Sequence, residues 1–517
     1  MNGAHSLIRT LVDAGVEVCF SNPGTSEMHF VAALDDVTGM RGVLGLFEGV
    51  VTGAADGYAR IAGKPAATLL HLGPGLGNGM ANLHNARRAH TPVVNIVGDH
   101  ATYHKKYDAP LESDIDALVS PLRGWVRRSE STADVGADAA AAVAAAQDAP
   151  GRIATLILPA DVSWGEGGEA CAPIPPRPAH PVTRAGVERV ADVLRSGDSI
   201  ALLIGGEACR EAGLRAASRL AEATGAKVFA ETFPTRIERG AGLPAVERLG
   251  YLAEHVEYQL QGVQHVVLAG TRAPVSFFAY PGRASDLVPE GATVHTLADV
   301  DDDAAGALTD LAELVAADTE PVLAEPSRPE VPSGPLTPQN WVDVIGALLP
   351  DGAIIADEAN TSGLMLPTAT AGAPRHDVLT LTGGAIGYGP PVATGAAIAA
   401  PDRPVINLQS DGSALYTISA LWTQARENLN VTTVLLNNSA YAILRMELQR
   451  VGAQTDGKKA NELLDLSRPD LDFAKIAEGM GVPASRATTA EELAERFARA
   501  LAEPGPHLID AIVPPLL

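Results

Sequence analysis

The chain has 517 residues, 46% of them apolar and 4% aromatic, and a net charge of −24. That acidity argues against nucleic acid or an anionic membrane as partner, because phosphate contacts need clustered Lys and Arg. At roughly 150 residues per domain the length predicts three units, and abundant Ala and Gly suit tightly packed α/β layers.

In chain order, apolar runs predict strands at 16–20, 42–47, 67–72 and 93–97, helices at 48–62 and 77–88, and a further strand at 156–159. The proline-dense stretch 172–181 cannot hold a sheet ladder and reads as a linker. A second alternating block has strands near 199–204, 227–230 and 265–269, and ends at another proline-dense connector. The last block offers strand 405–408, a helical segment 416–427 and strand 431–436. Such alternation predicts parallel sheets covered by helices on both faces. The expected architecture is α/β, with three doubly wound units at 1–170, 182–320 and 339–517 and linkers at about 171–181 and 321–338. Cys19, Cys171 and Cys209 lack C-x-x-C spacing, and Met1-Asn2-Gly3 opens no basic-then-apolar signal. With no uncharged apolar run of ~18 residues, a soluble cytoplasmic protein is expected.

Two strand ends carry the first chemistry. Asp411-Gly412-Ser413 closes one apolar strand and Asn437-Asn438 the next, with a helix-length segment between. That βαβ unit brings a carboxylate, an amide oxygen and small-residue backbone to the carboxyl ends of neighbouring parallel strands, where α/β sheets bind ligands. A hard cation bridging a diphosphate takes such oxygen donors. Asp-Gly and Asn-Asn turns also end ordinary strands, so the cation reading needs a second, independent site. In the first block Glu48 opens a helix rich in small residues: Gly49, Gly53, Ala54 and Gly57. A carboxylate at a helix N-terminus is stabilised there in any case, but the small residues also allow close approach of whatever lies opposite.

With Asn22-Pro23-Gly24-Thr25-Ser26-Glu27, His71-Leu72-Gly73-Pro74-Gly75-Leu76-Gly77-Asn78 and Ser419-Ala420-Leu421-Trp422-Thr423, the set resembles the thiamine-diphosphate enzymes of the 2-oxoacid decarboxylase and acetolactate synthase superfamily. The pattern is nearest to the benzoylformate decarboxylases and runs essentially end to end. The resemblance implies a pyrimidine-binding first unit, a central unit and a diphosphate-binding third unit. It implies that Glu48 bonds the aminopyrimidine N1′ and drives its tautomerisation, with the cofactor carrying the hard chemistry. Asp411, Asn438 and the Ala440 carbonyl match the magnesium ligands. Gly412, Ser413, Asn360 and Thr361 match diphosphate contacts. Ile386, in Gly383-Gly384-Ala385-Ile386-Gly387, matches the apolar wedge that bends the cofactor. Asn22, Pro23, Gly24 and Thr25 would line the pyrimidine side, with Gly384 and Tyr441 also at the cofactor. One cofactor must then touch two units, so the resemblance implies a homodimer or homotetramer with sites between subunits.

Departures bear on the substrate. Phe47 stands where relatives have a polar residue before the glutamate, and Ser410 where they have Gly before Asp-Gly. His71 matches a pocket histidine, and histidine can exchange a proton near neutral pH. The central stretch 273–281 lacks the second histidine of the decarboxylases, and His104 is the substitute considered. Ile443 and Glu447 share a helical face by i, i+4 spacing and match pocket positions, which predicts a substrate other than benzoylformate. Leu111 stands where acetolactate synthases have glutamine, and flavin contacts are missing, so no FAD is expected. The leading expectation is a thiamine-diphosphate- and Mg²⁺-dependent lyase that decarboxylates a small 2-oxo acid, with carboligation as a branch. The alternative is an acetolactate synthase-type carboligase, a transferase acting on pyruvate. A silent binding protein on this fold is disfavoured by retention of Glu48, Asp411 and Asn438. A nicotinamide dehydrogenase is disfavoured because Ile204-Gly205-Gly206-Glu207 lacks G-x-G-x-x-G.

Overall fold

The computed structural model describes residues 1–514, so the last three positions of the expected third unit lie outside the described residues. The first sheet holds β1 (Val18–Asn22), β2 (Arg41–Leu44), β3 (Ala66–Leu70), β4 (Val93–Asp99), β5 (Trp125–Arg128) and β6 (Ile153–Pro159) in the order β2-β1-β3-β4-β6-β5. In the middle of the chain lie β7 (Ile200–Ile204), β8 (Lys227–Ala230), β9 (Ile237–Arg239), β10 (Glu247–Arg248), β11 (His265–Ala269) and β12 (Thr293–Ala298). Five of them form the second sheet, β10-β8-β7-β11-β12. The third holds β13 (Ala353–Glu358), β14 (His376–Thr380), β15 (Val405–Ser410), β16 (Val431–Asn437), β17 (Ala484–Ala487) and β18 (His507–Ile512). Its order is β17-β18-β16-β15-β13-β14-β9. Every pairing is parallel except β14 with β9. Interior strands such as β4, β6 and β16 are buried at every residue, as strands covered on both faces must be. Among the described residues no helix is long and apolar enough to cross a membrane.

Several elements differ from the sequence expectation. Strand β1 runs to Asn22 and β2 stops at Leu44, so a three-residue loop precedes Glu48. The helix expected from 77 begins at Leu72, with Gly73, Gly75 and Gly79 taken into its buried face rather than into a loop. The segment 416–427 is helical only over Ala420–Arg426, preceded by the short turn Asp411–Ala414. The Thr417 hydroxyl is spent on the Gly387 carbonyl (2.8 Å), which fixes the intervening turn.

Strand β9 leaves the central block and pairs antiparallel with β14 of the third sheet, His376 opposite Arg239. Arg236 and Arg403 both grip Asp377 there (2.6 Å each). His376 is buried, its Nδ1 donating to the Pro374 carbonyl (2.8 Å). Burial, with the Arg239 charge beside it, pushes the imidazole down to about 4. A depressed histidine favours the neutral form in the fold, so its contribution is complete above the unfolded pKa and is lost as pH falls through the folded one. Between about pH 6.5 and pH 4 the native protein is therefore expected to lose about 3 kcal/mol relative to His376→Gln. Denaturation midpoints of both proteins across that range check this; parallel curves would refute it.

The small residues around Glu48 have their partner inside the same chain. Helix Glu48–Ala62 packs against helix Gly389–Ala399 of the third unit. A Cβ at Gly57 would overlap the Val392 carbonyl, and one at Gly395 the Ala54 carbonyl, so this contact tolerates no side chain at either point. Beneath it, Arg60 and Asp56 form a fully buried pair (2.7 Å). Arg60 also donates to the carbonyls of Thr380 (2.8 Å) and Thr235 (3.1 Å), tying all three units to one guanidinium.

Candidate active site

In the first unit, Glu48 is buried at the first turn of its helix. Its two carboxylate oxygens accept from Asn22 Nδ2 at the end of β1 (3.2 Å) and from Asn78 Nδ2 of helix Leu72–Arg88 (2.9 Å). No cation pairs with Glu48 among the described residues. A Cβ at Gly75 would already stand 3.3 Å from Glu48 Oε1, so the glycine leaves one side of the carboxylate open. Phe47 turns its ring onto Gly49.

Next to it, the backbone of Gly24, between Pro23 and Thr25, packs on the His71 imidazole. His71 Nδ1 meets Glu27 Oε2 at 2.8 Å, and the same oxygen accepts the Gly24 N–H (2.8 Å). Glu27 is 2% exposed. Burial pushes its carboxyl up, and the His71 partner pulls against that shift. Its other oxygen has no partner and lies where a Cβ at position 98 would overlap it; Gly98 makes room for the acid. Sequence reasoning missed Glu27 and Asn78 although both stand in the quoted motifs. The signal available for Glu27 was its place at the third position of a turn opened by Gly24.

His104 lies elsewhere, in an aromatic loop against His100 and Tyr107 (centroids 5.3 and 5.8 Å). No hydrogen bond joins it to His71 or Glu48 among the described residues. Leu111 is 39% exposed in the following loop, where Ser113 packs on Gly73.

The second cluster sits at the carboxyl ends of β13, β14, β15 and β16. Asp411 is buried, and its carboxylate accepts the N–H groups of Gly412 (2.7 Å), Asn438 (3.0 Å) and Ser439 (2.7 Å). Burial pushes this carboxyl up as well. No cationic side chain pairs with it among the described residues, so a divalent cation would supply the missing charge. Ser439 takes a left-handed turn (φ 52°) between Asn438 and Ala440, and Asn438 Oδ1 accepts the Ala440 N–H (3.0 Å). Gly412 faces the Tyr441 ring, and Ser413 Oγ accepts from Gln409 Nε2 (2.6 Å). Asn360, also left-handed (φ 49°), donates to Ser410 Oγ (3.2 Å), which in turn donates to the Glu358 carbonyl (3.1 Å). The serine that departs from the family pattern thus bridges two loops. Thr361 follows in the same turn, Asn360–Gly363, and borders a cavity of about 710 Å³ shared with Arg328, Val342 and Met365.

The loop bearing Ile386 is held from the first unit. Asn85 exchanges two hydrogen bonds with Ala385 (2.8 and 3.2 Å), and His84 Nε2 meets the Gly383 carbonyl (3.1 Å). Phe277 of the central unit lies against Gly384, in an aromatic group with Phe233, Tyr251 and Phe278. Stretch 273–281, which carries no histidine, therefore delivers an aromatic wall to this loop. Ile443 is half-buried on helix Ala442–Arg450. Glu447, one turn on, accepts from Tyr280 OH (2.8 Å) and Tyr251 OH (3.4 Å) of the central unit.

No hydrogen bond or ion pair joins the Glu48 cluster to the Asp411 cluster among the described residues. Each is complete in its own sheet, and together they offer a carboxylate for a polar ring nitrogen and an oxygen-lined turn for a metal-bound anion.

Comparison with known proteins agrees with this division. Residues 1–119 match the thiamine pyrophosphate enzyme N-terminal TPP binding domain, and residues 364–511 the corresponding C-terminal TPP binding domain. The chain is 66% identical to the "Putative acetolactate synthase large subunit IlvX" of Mycobacterium tuberculosis over 518 residues, all of both chains. It is 30% identical to benzoylformate decarboxylase of Pseudomonas aeruginosa, over 96% of each. Among solved structures, the thiamine diphosphate-dependent 4-hydroxybenzoylformate decarboxylase of Rhodococcus jostii superposes with a TM-score of 0.86 at 25% identity over 99% of each chain. With both binding domains matched and the likeness running end to end, the chain belongs to the thiamine pyrophosphate enzymes.

Proposed function

We propose that this enzyme binds thiamine diphosphate with Mg²⁺ and performs non-oxidative decarboxylation of a small 2-oxo acid, with carboligation to a second carbonyl as its branch. The observation that carries the reading is Glu48, a buried carboxylate held by Asn22 and Asn78 with no cation beside it. When bound, the cofactor supplies the carbon nucleophile and the electron sink. Glu48 would hold a proton at the aminopyrimidine, while Asn22, Pro23, Gly24 and Thr25 border that ring. Asp411, Asn438 and the Ala440 carbonyl would hold the metal. Gly412, Ser413, Asn360 and Thr361 would hold the diphosphate, with Gly384, Ile386 and Tyr441 against the cofactor.

His71 is the proton-carrying residue we assign to the substrate side. With the ring proton on Nδ1, Glu27 Oε2 accepts it, which leaves Nε2 as the end that takes or gives a proton. Glu27 is thus a positioning residue. Leu111, in the loop whose Ser113 packs on Gly73, would border the entrance, His104 would reach it only from the preceding aromatic loop, and Ile443 would shape the pocket. Glu447, engaged by two tyrosines, would act on the substrate only through the wall those tyrosines help to build.

We further propose that a second copy of the chain brings Glu48 of one subunit to Asp411 of another, in a homodimer or homotetramer. Large apolar side chains stand exposed beside each cluster: Leu46 and Leu118 near the first, Leu415 and Tyr416 near the second. The carboligase reading, with pyruvate as substrate, is favoured by the lack of a histidine in stretch 273–281, which sets Phe277 against Gly384 and brings no second proton donor to shorten the path to aldehyde.

The test is turnover of pyruvate, branched-chain 2-oxo acids and benzoylformate with thiamine diphosphate and Mg²⁺, following CO₂ and carbon products together. CO₂ with free aldehyde is the expected decarboxylase result, and CO₂ with acetohydroxyacid or hydroxyketone establishes the carboligase. No CO₂ from any of these acids by the loaded enzyme would overturn both.

A further inference from the structure

Glu358 is an acid the reaction above does not use. It ends β13, the strand between β14 and β15, and is 1% exposed. Its Oε1 accepts the Gly387 N–H (2.7 Å) and its Oε2 the Gly389 N–H (2.6 Å). Those two N–H groups lie just beyond Ile386, where the chain passes through a left-handed glycine (Gly387, φ 89°). Its main-chain carbonyl accepts from Ser410 Oγ (3.1 Å), the residue before Asp411, and Ser410 Oγ accepts from Asn360 (3.2 Å). One residue on a central strand therefore ties the Ile386 loop, the Asn360 turn and the Asp411 turn.

Nothing in ordinary strand packing calls for an acid here. Burial without a cation pushes the Glu358 carboxyl up to about 7, against the pull of the two backbone N–H groups. Asn407 Oδ1 and Gln409 Oε1, both buried acceptors without a donor, crowd the same Gly389 that donates to Glu358. A glutamine or leucine would spare the fold that desolvation. What a carboxylate does at this point is accept the N–H groups of Gly387 and Gly389 on separate oxygens at once.

We propose that Glu358 is a positioning residue for thiamine diphosphate: its side chain sets the Ile386 loop against the cofactor's rings, while its backbone anchors the metal-side turn independently. This deepens the reading proposed above and rests on it. Glu358→Gln keeps the shape but turns an NH₂ toward one of the two N–H donors, so one hydrogen bond to the loop is lost and the Ser410 contact is spared.

The experiment is calorimetric binding to the full-length protein, with thiamine diphosphate and, separately, inorganic pyrophosphate, both with Mg²⁺. Glu358→Gln is expected to bind thiamine diphosphate about tenfold more weakly and magnesium pyrophosphate as the parent does. Ile386→Ala is expected to give a similar loss, and the double variant little more than either, since both act through one loop. Equal weakening of both ligands would show general loosening and overturn the assignment, as would additive losses or parent-like binding in Glu358→Gln. If that variant does not fold, Glu358→Asp is read in the same way, and failure of both to fold would make Glu358 a core element instead. A parent that binds no thiamine diphosphate would sink the cofactor reading itself, a separate failure visible before any variant is made.

Discussion

Glutamine at position 48 is expected to lower turnover by roughly 10²- to 10⁴-fold, the range a positioned acid–base group commonly supplies, while thiamine diphosphate still binds. The substitution keeps the volume of a buried side chain whose neighbours are two amides, Asn22 and Asn78. Either amide can rotate to offer its oxygen to the new NH₂, so the site repacks without a buried unsatisfied group. The group lost is the one that can hold and return a proton at the aminopyrimidine. Steady-state rates beside calorimetric cofactor titration check both halves. A Glu48→Gln enzyme of parental rate would remove Glu48 from the chemistry, and loss of cofactor binding would make it a structural anchor.

The second large effect is at Asp411. Asp411→Asn is expected to weaken Mg²⁺-dependent binding of thiamine diphosphate by more than 100-fold, with little change in the stability of the cofactor-free protein. Three backbone N–H groups converge on this carboxylate, and the amide must turn its NH₂ toward some of them. That loss is offset because burial of a charge without a counter-ion is relieved. A ligand at 100 times its dissociation constant stabilises the parent by about 2.7 kcal/mol. Thermal melts with and without cofactor and Mg²⁺ should therefore separate for the parent and coincide for the variant. Equal shifts in the two proteins would remove Asp411 from the metal site.

Much of this was legible in the sequence because it is local. The helix opened by Glu48, the acidic turn after β15 and the Asn437-Asn438 end of β16 are set by neighbouring residues, as are the largely apolar, β-branched runs of β4 and β16. What was missed depends on partners far along the chain. Strand β5 carries Arg127 and Arg128 and is only partly covered, so it lacks an apolar run to announce it. Strand β9 is three residues long and exists because β14 offers an edge. Glu27 finds its imidazole 44 residues later, and Glu358 finds its two N–H groups 29 and 31 residues later. The i, i+4 face of Ile443 and Glu447 was legible, but not the tyrosines that occupy Glu447.

The route of β9 sets where this protein can be cut. A chimera that exchanges residues 182–320 for a relative's central unit would also remove Ile237–Arg239 from the rim of the third sheet. Strand β14 would then present its N–H and C=O groups to solvent, an invitation to pair with another chain. Seams in recombined versions of this enzyme belong before residue 231 and after 240, so that the visiting strand stays with the sheet it completes.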